Sequence, residues 1–496
     1  MARETFLGLD IGTSSVKALL IDADQRIIAE ASAALDVSRP HPLWSEQNPE
    51  DWLEGVEAAV HTIRRHAPEA FARLAAVGLS GQMHGATFLD ANDKPLRPAI
   101  LWNDGRSFAE CEEFARRVPD FLHRAGNLAM PGFTAPKAMW VARHEPSVFA
   151  ATKRILLPKD YVRLKLSGEA VSEMSDAAGT LWLDIAGRRW DEELIAASGL
   201  TLSHMPALVE GSEVSAYLSP EVAASWGLAG AKIPIAGGGG DNAASAVGVG
   251  AIEAGEGFVS LGTSGVIFSV TDKYVSLPQR TLHAFCHALP GRWHGMSVML
   301  SAAASLSWAA QLVGRGDKIS ACVDAAEVFA RDPAALRAAP VFLPYLSGER
   351  TPHNDPEATG LFAGFTASHG AEALLFSVLE GVAFSFADGT DVLREAGAAP
   401  NIPLLVGGGA RSGFWGQMIS DVTGLSIDLA AGAEAGAAFG AARLGMLAAK
   451  AGDKRAICAR PQTQRRFTPD PARAALHAPR LARYRALYKA ERATRL

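Results

Sequence analysis

The sequence predicts a layered α/β protein made of two related halves. Three observations carry that reading. Apolar strand-like runs alternate with stretches of helical periodicity along the chain, the pattern of sheets covered by helices. The tripeptide Gly-Thr-Ser occurs at Gly12-Thr13-Ser14 and again at Gly262-Thr263-Ser264, each time between apolar runs. The 48 glycines are concentrated in short runs that follow such segments, which places tight turns at strand ends.

Taken in order, Phe6 to Asp10, Val16 to Ile21 and Ile27 to Ala31 read as antiparallel strands joined by tight turns. Asn48 is placed to cap a helix, with Pro49 in its first position, Glu50 and Asp51 in its first turn, and Trp52, Val56, Val60 and Ile63 on one face. Ala75 to Leu79 forms a further strand. From about Asp104 to Gly230 the chain is richer in charge and aromatics, as expected of helices and loops decorating a core. A second series starts at Ile233, where a strand ends in four glycines and Asp241 and continues as an Ala-rich helix. Phe258 to Leu261 and Val266 to Val270 are strands, Leu374 to Phe386 an amphipathic helix, and Leu404 to Val406 a strand leading through Gly407-Gly408-Gly409 into a helix near Phe414. The Arg- and Pro-rich tail from about Pro461 reads as a surface helix.

Composition narrows the function. With 47 Lys plus Arg against 53 Asp plus Glu, the net charge is −6, and no cationic excess is available for a nucleic-acid backbone. Hydrophobic residues at 48% and charged residues at 20% exclude a disordered or fibrous chain. The four cysteines form no CxxC pair, which indicates neither a zinc knuckle nor a disulfide framework and fits a cytoplasmic location. The N-terminal MARETFLGLDIG runs straight into a strand and lacks signal-peptide organisation. The uncharged stretch Gly295 to Gly314 carries several serines and a glutamine and reads as one buried helix.

The chemistry-bearing motifs are polar clusters at strand ends. In DIGTSSVK, from Asp10 to Lys17, consecutive N–H groups and hydroxyls offer a nest for phosphate oxygens. Asp10 beside it suits Mg²⁺ held largely through water; a hairpin turn with a backbone-bonding Asp explains it equally well. No Gly-Lys dipeptide occurs, which excludes a Walker loop. GGGARS, from Gly407 to Ser412, would let backbone lie flat against an adenine or ribose, although such turns often serve packing alone. Asp241 has the position of a general base or of a helix N-cap. GQMHG at Gly81 and WNDGR at Trp102 set polar groups among small residues, the means of fixing a polyol, with Met83 or Trp102 against its apolar face.

DIGTSSVK, SGQMHG, WNDGR, GGGGDNAASAVG, SLGTSG, YLSGERTPHNDP and GGGARS occur in the order seen in the FGGY family of carbohydrate kinases, which the chain resembles. Within that family SRPHPLWSEQ at Ser38, PGFTAPK at Pro131, LLPKDY at Leu156 and SDAAGT at Ser175 are similar to the bacterial kinases of D-xylulose, over nearly everything up to about residue 445. One departure is GAEAGAAFGAARLG at Gly432, with Ala437 where these kinases often have Pro.

The resemblance implies two actin-like, ribonuclease-H-like domains at 1–245 and 246–445 with a cleft between them, and a helical tail at 446–496. It implies phosphorylation of D-xylulose by ATP to D-xylulose 5-phosphate, with Mg²⁺, no nucleic-acid or membrane partner, and a homodimer as the candidate assembly. It implies Asp241 as catalytic base and Asp10 as the carboxylate near the metal. Met83, His84, Asn103, Asp104 and Arg106 are the implied sugar contacts, and Thr13, Lys17, Gly262, Thr263, Gly408 and Gly409 the implied nucleotide contacts. A family member acting on ribulose, xylitol, glycerol or gluconate is the first alternative. An ATPase switch of the actin or heat-shock type is the second.

Overall fold

A computed structural model describes residues 4–431 and 436–495. Gly432 to Ala435, the start of the GAEAG run, lie outside the described residues, as does Arg3 of the N-terminal segment. Two seven-stranded mixed sheets dominate the structure.

The first sheet grows from β1 (Thr5–Ile11), β2 (Ser15–Asp22) and β3 (Ile27–Ala34), an antiparallel meander as the turns require. Helix α1 (Pro49–His66) begins where expected, with Asn48 Oδ1 accepting from Glu50 N–H, and it buries Trp52, Val56, Val60 and Ile63. Strand β4 (Leu74–Gly81) runs parallel to β1. Helix α2 (Pro158–Ser167) and the single turn α3 (Met174–Ala177) lie in the intervening decoration. Strands β5 (Val214–Tyr217), β6 (Pro234–Ala236) and β7 (Gly239–Gly240) complete the sheet in the order β5-β6-β4-β1-β2-β3, with β7 also paired to β4.

Helix α4 (Asp241–Gly248) leads to the second sheet. Its strands are β8 (Gly257–Leu261), β9 (Gly265–Thr271), β10 (His283–Cys286), β11 (Trp293–Met299), β12 (Leu404–Val406), β13 (Ile427–Ala430) and β14 (Thr463–Phe467), ordered β10-β11-β9-β8-β12-β13-β14. Here too a meander, β8-β9-β11, is extended by parallel strands, β12 and β13. The two halves therefore repeat one topology, as the paired Gly-Thr-Ser turns suggest. The covering helices are α5 (Ala303–Leu312), α6 (Ile319–Ala330), α7 (Ala371–Glu395), α8 (Gly413–Thr423), α9 (Gly436–Ala448) and α10 (Pro471–Thr494).

Helix α9 reaches back from the second half onto the first sheet, a placement that glycine makes possible. A Cβ on Gly8 would lie 1.9 Å from the Ala438 carbonyl oxygen, and one on Gly78 1.7 Å from that of Ala441, so backbone touches backbone. Gly440 meets α4 in the same way, with the Ala244 carbonyl 1.7 Å from a notional Cβ. Ala437 is buried in the first turn of α9. Helix α7 is long and apolar enough to cross a membrane by length and composition, but 94% of that apolar window is buried inside the protein.

Two expectations need correction. Gly295 to Gly314 is not one helix: its first part belongs to β11 and only Ala303–Leu312 is helical. The tail is not simply a surface helix. Strand β14 pairs with β13 inside the second sheet, and α10 buries His477, Arg480, Tyr484 and Tyr488. Arg480 forms a bidentate pair with buried Glu380, the shortest contact being 2.6 Å.

Candidate functional site

Three parallel strand ends build the floor of the cleft. Asp10 of β1 lies opposite Ser80 of β4, which lies opposite Gly239 of β7, so the carboxyl ends of three strands converge where open α/β sheets bind ligands. Asp241 follows at the start of α4. Gly240 occupies the cap position and Asp241 is the first helical residue. Its Oδ1 accepts from the N–H of Asn242 at 2.7 Å and from Asn242 Nδ2 at 2.9 Å, while Oδ2 accepts nothing from the described residues.

Burial pushes Asp241 up to about 6, against the lowering pull of the Asn242 donors. Burial and the neighbouring Asp241 charge push Asp10 to about 6 as well, opposed by Ser80 and Lys17. Burial is thus the main cause at both carboxylates, and the Asp241 charge adds to it at Asp10. Asp10 Oδ1 is buried with no hydrogen-bond partner among the described residues. Among the described residues no three His, Cys, Asp or Glu side chains gather to hold a metal.

Met83 and His84 flank this floor. Met83 packs against Gly240, where a Cβ would come within 2.9 Å of its Cγ. His84 has φ +67°, and its Nδ1 lies 2.6 Å from the Gly179 carbonyl oxygen. That carbonyl only accepts, so Nδ1 carries the proton and Nε2 is left as an acceptor. Burial holds His84 down at about 3, so it stays neutral. Lys137 Nζ and Thr134 Oγ1 bind the His84 carbonyl at 2.9 and 3.2 Å and fix the turn.

The turn Gly12 to Ser14 is braced from several sides. Thr13 Oγ1 donates to Gln82 Oε1 at 3.0 Å and accepts from Trp102 Nε1 at 3.0 Å. Gln47 Nε2 donates to the Thr13 carbonyl at 2.7 Å, and Gln47 Oε1 accepts from Gln82 at 2.9 Å and from Trp52 at 3.0 Å. Lys17 lies opposite Asp10 in the β1–β2 register and pairs with Glu30 at 3.5 Å.

Across the cleft a cavity of about 790 Å³ is lined by Gly262, Thr263, Asp324, Glu327, Gly408 and Gly409, among others. A second cavity of about 380 Å³ shares Gly408 and Arg411 with it and ends at Asn242, beside Asp241. The glycines divide by role. A Cβ on Gly409 would strike Leu261 Cγ at 2.4 Å, whereas one on Gly408 would meet nothing within 4 Å. Packing inside the protein accounts for Gly409; Gly408 keeps open a space that no protein atom fills.

Residues 5–248 match the model of the FGGY family of carbohydrate kinases, N-terminal domain, and residues 257–449 that of its C-terminal domain. The chain belongs to the FGGY family of carbohydrate kinases. The two-lobed fold is accordingly the actin-like, ribonuclease-H-like fold of FGGY kinases. The chain is 49% identical to the xylulose kinase of Escherichia coli strain K12 over 98% of both chains. It is 50% identical to the xylulose kinase of Klebsiella pneumoniae over 89% of this chain and 90% of that one. The crystal structure of a xyloylose kinase from Brucella ovis superposes with a TM-score of 0.93 at 47% identity, covering 99% of this chain and all of that one.

Against the sugar contacts that resemblance to FGGY kinases implies, the structure separates three residues of one motif. Asn103 is exposed, and its amide has no partner among the described residues. Asp104 and Arg106 are enclosed and satisfy one another at 2.9 and 2.7 Å. Asp104 also accepts Ser45 N–H at 2.6 Å. The Arg106 guanidinium lies 3.6 Å above the Trp44 ring and 2.7 Å from Glu46. With both Asp104 oxygens doubly occupied, this pair ties the WNDGR turn to the segment at 44–46 and has no acceptor left for a hydroxyl. The bracing glutamines Gln47 and Gln82 were absent from the expected site, although both lie inside quoted motifs. Asp324 and Glu327 on α6 were also absent, and no local motif marks them.

Proposed function

We propose that this FGGY kinase transfers the γ-phosphoryl group of ATP to D-xylulose, giving D-xylulose 5-phosphate and ADP. The observation that carries the reading is the cavity pair leading from Gly408 to Asn242, the residue after Asp241, whose charge Asp10 feels. The xylulose kinase relatives supply the acceptor. In this reading the nucleotide lies along Gly408 and Gly409, with its phosphates toward Gly262, Thr263, Thr13 and Lys17. The sugar lies against Met83, His84 and Asn103, with His84 Nε2 accepting from one hydroxyl.

Asp241 is the general base. Its free Oδ2 takes the proton from the sugar hydroxyl as that oxygen attacks phosphorus. A base with a pKa near 6 is mostly ionised at neutral pH yet more basic than an ordinary carboxylate. Asp10 Oδ1, buried and without a partner among the described residues, fits a Mg²⁺ ion arriving with the nucleotide. When bound, such an ion supplies charge neutralisation at the phosphates. Lys17 adds fixed positive charge beside Asp10.

The test is ADP release measured across D-xylulose, ribulose, xylitol, glycerol and gluconate. The expected outcome is the highest kcat/KM on D-xylulose. A clearly higher value for another acceptor overturns the substrate while leaving the kinase class, and ATP turnover indifferent to every acceptor favours an ATPase switch.

A further inference from the structure

Two of the quoted motifs, LLPKDY and SDAAGT, contribute no side chain to the site above, yet they meet in a buried ionic cluster directly beneath the glycine strand that delivers Asp241. Lys159, Asp160, Arg163, Glu173 and Asp176 are all fully buried. Lys159 Nζ lies 2.7 Å from Asp160, 2.9 Å from Asp176 and 3.5 Å from Glu173. Arg163 bonds Asp160 at 3.2 Å and the Val171 carbonyl at 2.6 Å. Ser172 Oγ donates to the second Asp160 oxygen at 2.6 Å.

The cluster touches the catalytic strand at two points. Arg163 donates to the Gly237 carbonyl oxygen. At the other end, the Gly240 N–H donates to Ser175 Oγ at 3.1 Å. Ser175 is itself held by Glu173, which accepts its hydroxyl at 2.9 Å and its backbone N–H at 2.7 Å. A chain of contacts therefore runs from Lys159 through Glu173 and Ser175 to the residue preceding Asp241. Lys159 also packs under the neighbouring strand end, its Cβ lying 3.2 Å from where a Cβ on Gly81 would sit.

Such a scaffold has a physical reason. The Gly237–Gly240 run has no side chains to pack, and glycine has more conformational freedom to lose than any other residue. A Cβ would collide with backbone oxygen at Gly237 (2.3 Å from Glu210) and at Gly238 (2.2 Å from Leu79), so anchoring must come from outside the strand. Two cations face three carboxylates. Burial pushes the Asp176 carboxyl upward against the opposing pull of Lys159 beside it. Burial works against the Lys159 ammonium, but its three acidic neighbours outweigh it and hold its pKa above the ordinary value.

We infer that Ser175 and Arg163, oriented by this cluster, are positioning residues for Asp241: they fix the two ends of the glycine strand and thereby aim the base. The inference rests on Asp241 being the base. A small misplacement of a reacting group costs about 10²-fold in rate, which sets the scale of the test.

Ser175→Ala, in the full chain, removes the hydroxyl that links Glu173 to the Gly240 N–H. The expected result is a kcat lower by about tenfold or more, with KM for sugar and ATP within about twofold of the parent and an unchanged circular dichroism spectrum. A kcat within about twofold of the parent overturns the inference. Arg163→Lys keeps the charge but cannot span the Gly237 and Val171 carbonyls together, and the same split between kcat and KM is expected. Lower thermal stability with parental kcat in both variants assigns the cluster to folding alone and overturns it. The assay uses the parent's best acceptor, so a wrong sugar assignment leaves this test intact. A fully active Asp241→Asn would remove its premise separately.

Discussion

At Gly12-Thr13-Ser14 the threonine hydroxyl is consumed by Gln82 and Trp102, whereas at Gly262-Thr263-Ser264 the same hydroxyl lines the larger cavity and has no partner among the described residues. The second turn is held by its backbone alone: the Gly262 and Thr263 carbonyls accept from Ala303 and Ala302 at the start of α5, at 2.8 and 2.9 Å. Identical tripeptides in equivalent hairpins thus have different duties. The first is a braced wall beside the carboxylates. The second keeps its polar groups free for a ligand. In the proposed reading both turns face the phosphates, the first preorganised by its brace and the second left open.

Asp10→Asn gives the largest effect expected along this contrast. It keeps the fold of the braced side and removes the charge beside it, lowering kcat by roughly 10²-fold with sugar affinity nearly unchanged. Steady-state kinetics over a Mg²⁺ series, with sugar binding by calorimetry, reads both, and normal activity at limiting Mg²⁺ would reduce Asp10 to a turn residue.

The threonines should part company next. Thr263→Val is expected to raise the KM for ATP about tenfold, the worth of a hydrogen bond to a charged group, while the melting temperature stays put. Thr13→Val is expected to cost about 1–3 kcal/mol of stability, because it strands the buried Gln82 amide oxygen and takes the acceptor from the exposed Trp102 Nε1–H. Denaturation and ATP titration of both variants decide the matter, and a reversed pattern would break the comparison.

The smallest effect concerns pH. The carboxylate pair near 6 predicts that kcat falls as pH drops below about 6 and the base takes up a proton. Stability runs the other way. A carboxylate whose pKa is raised in the folded state favours folding below the unfolded value near 4, and that contribution is lost as pH rises through about 6, at most about 3 kcal/mol per group. Melting curves and pH-rate profiles on one preparation should therefore slope oppositely between pH 4 and 6.

Much of this was legible in the sequence because local chemistry announced it. The meander β1 to β3 follows from tight turns between apolar runs, and the Asn48 cap from the Pro49-Glu50-Asp51 that follows it. What escaped depended on distant partners. Strand β14, Thr463–Phe467, reads as polar because only Phe467 is buried; it is recognisable as a strand only once β13 is beside it. Arg480 in α10 looks exposed until Glu380 is known to face it. Asp104 and Arg106 look like free polyol ligands because nothing local reveals the contacts at 44–46. The charges of LLPKDY resemble a solvated helix face, although they are fully enclosed. In the site, the carboxylates and glycines could be read from strand-end position, whereas the glutamine brace could not, since it joins residues 13, 47 and 82.

The central claim is that Asp241 accepts the proton, and kcat of Asp241→Asn tests it most directly. The substitution keeps the size and the hydrogen bonds to Asn242 but removes the proton acceptor. The expected result is a folded enzyme that binds D-xylulose with near-parental affinity and has kcat lowered by about 10²–10⁴. A variant that turns over within about threefold of the parent would contradict the account, because asparagine serves a helix start about as well as aspartate does.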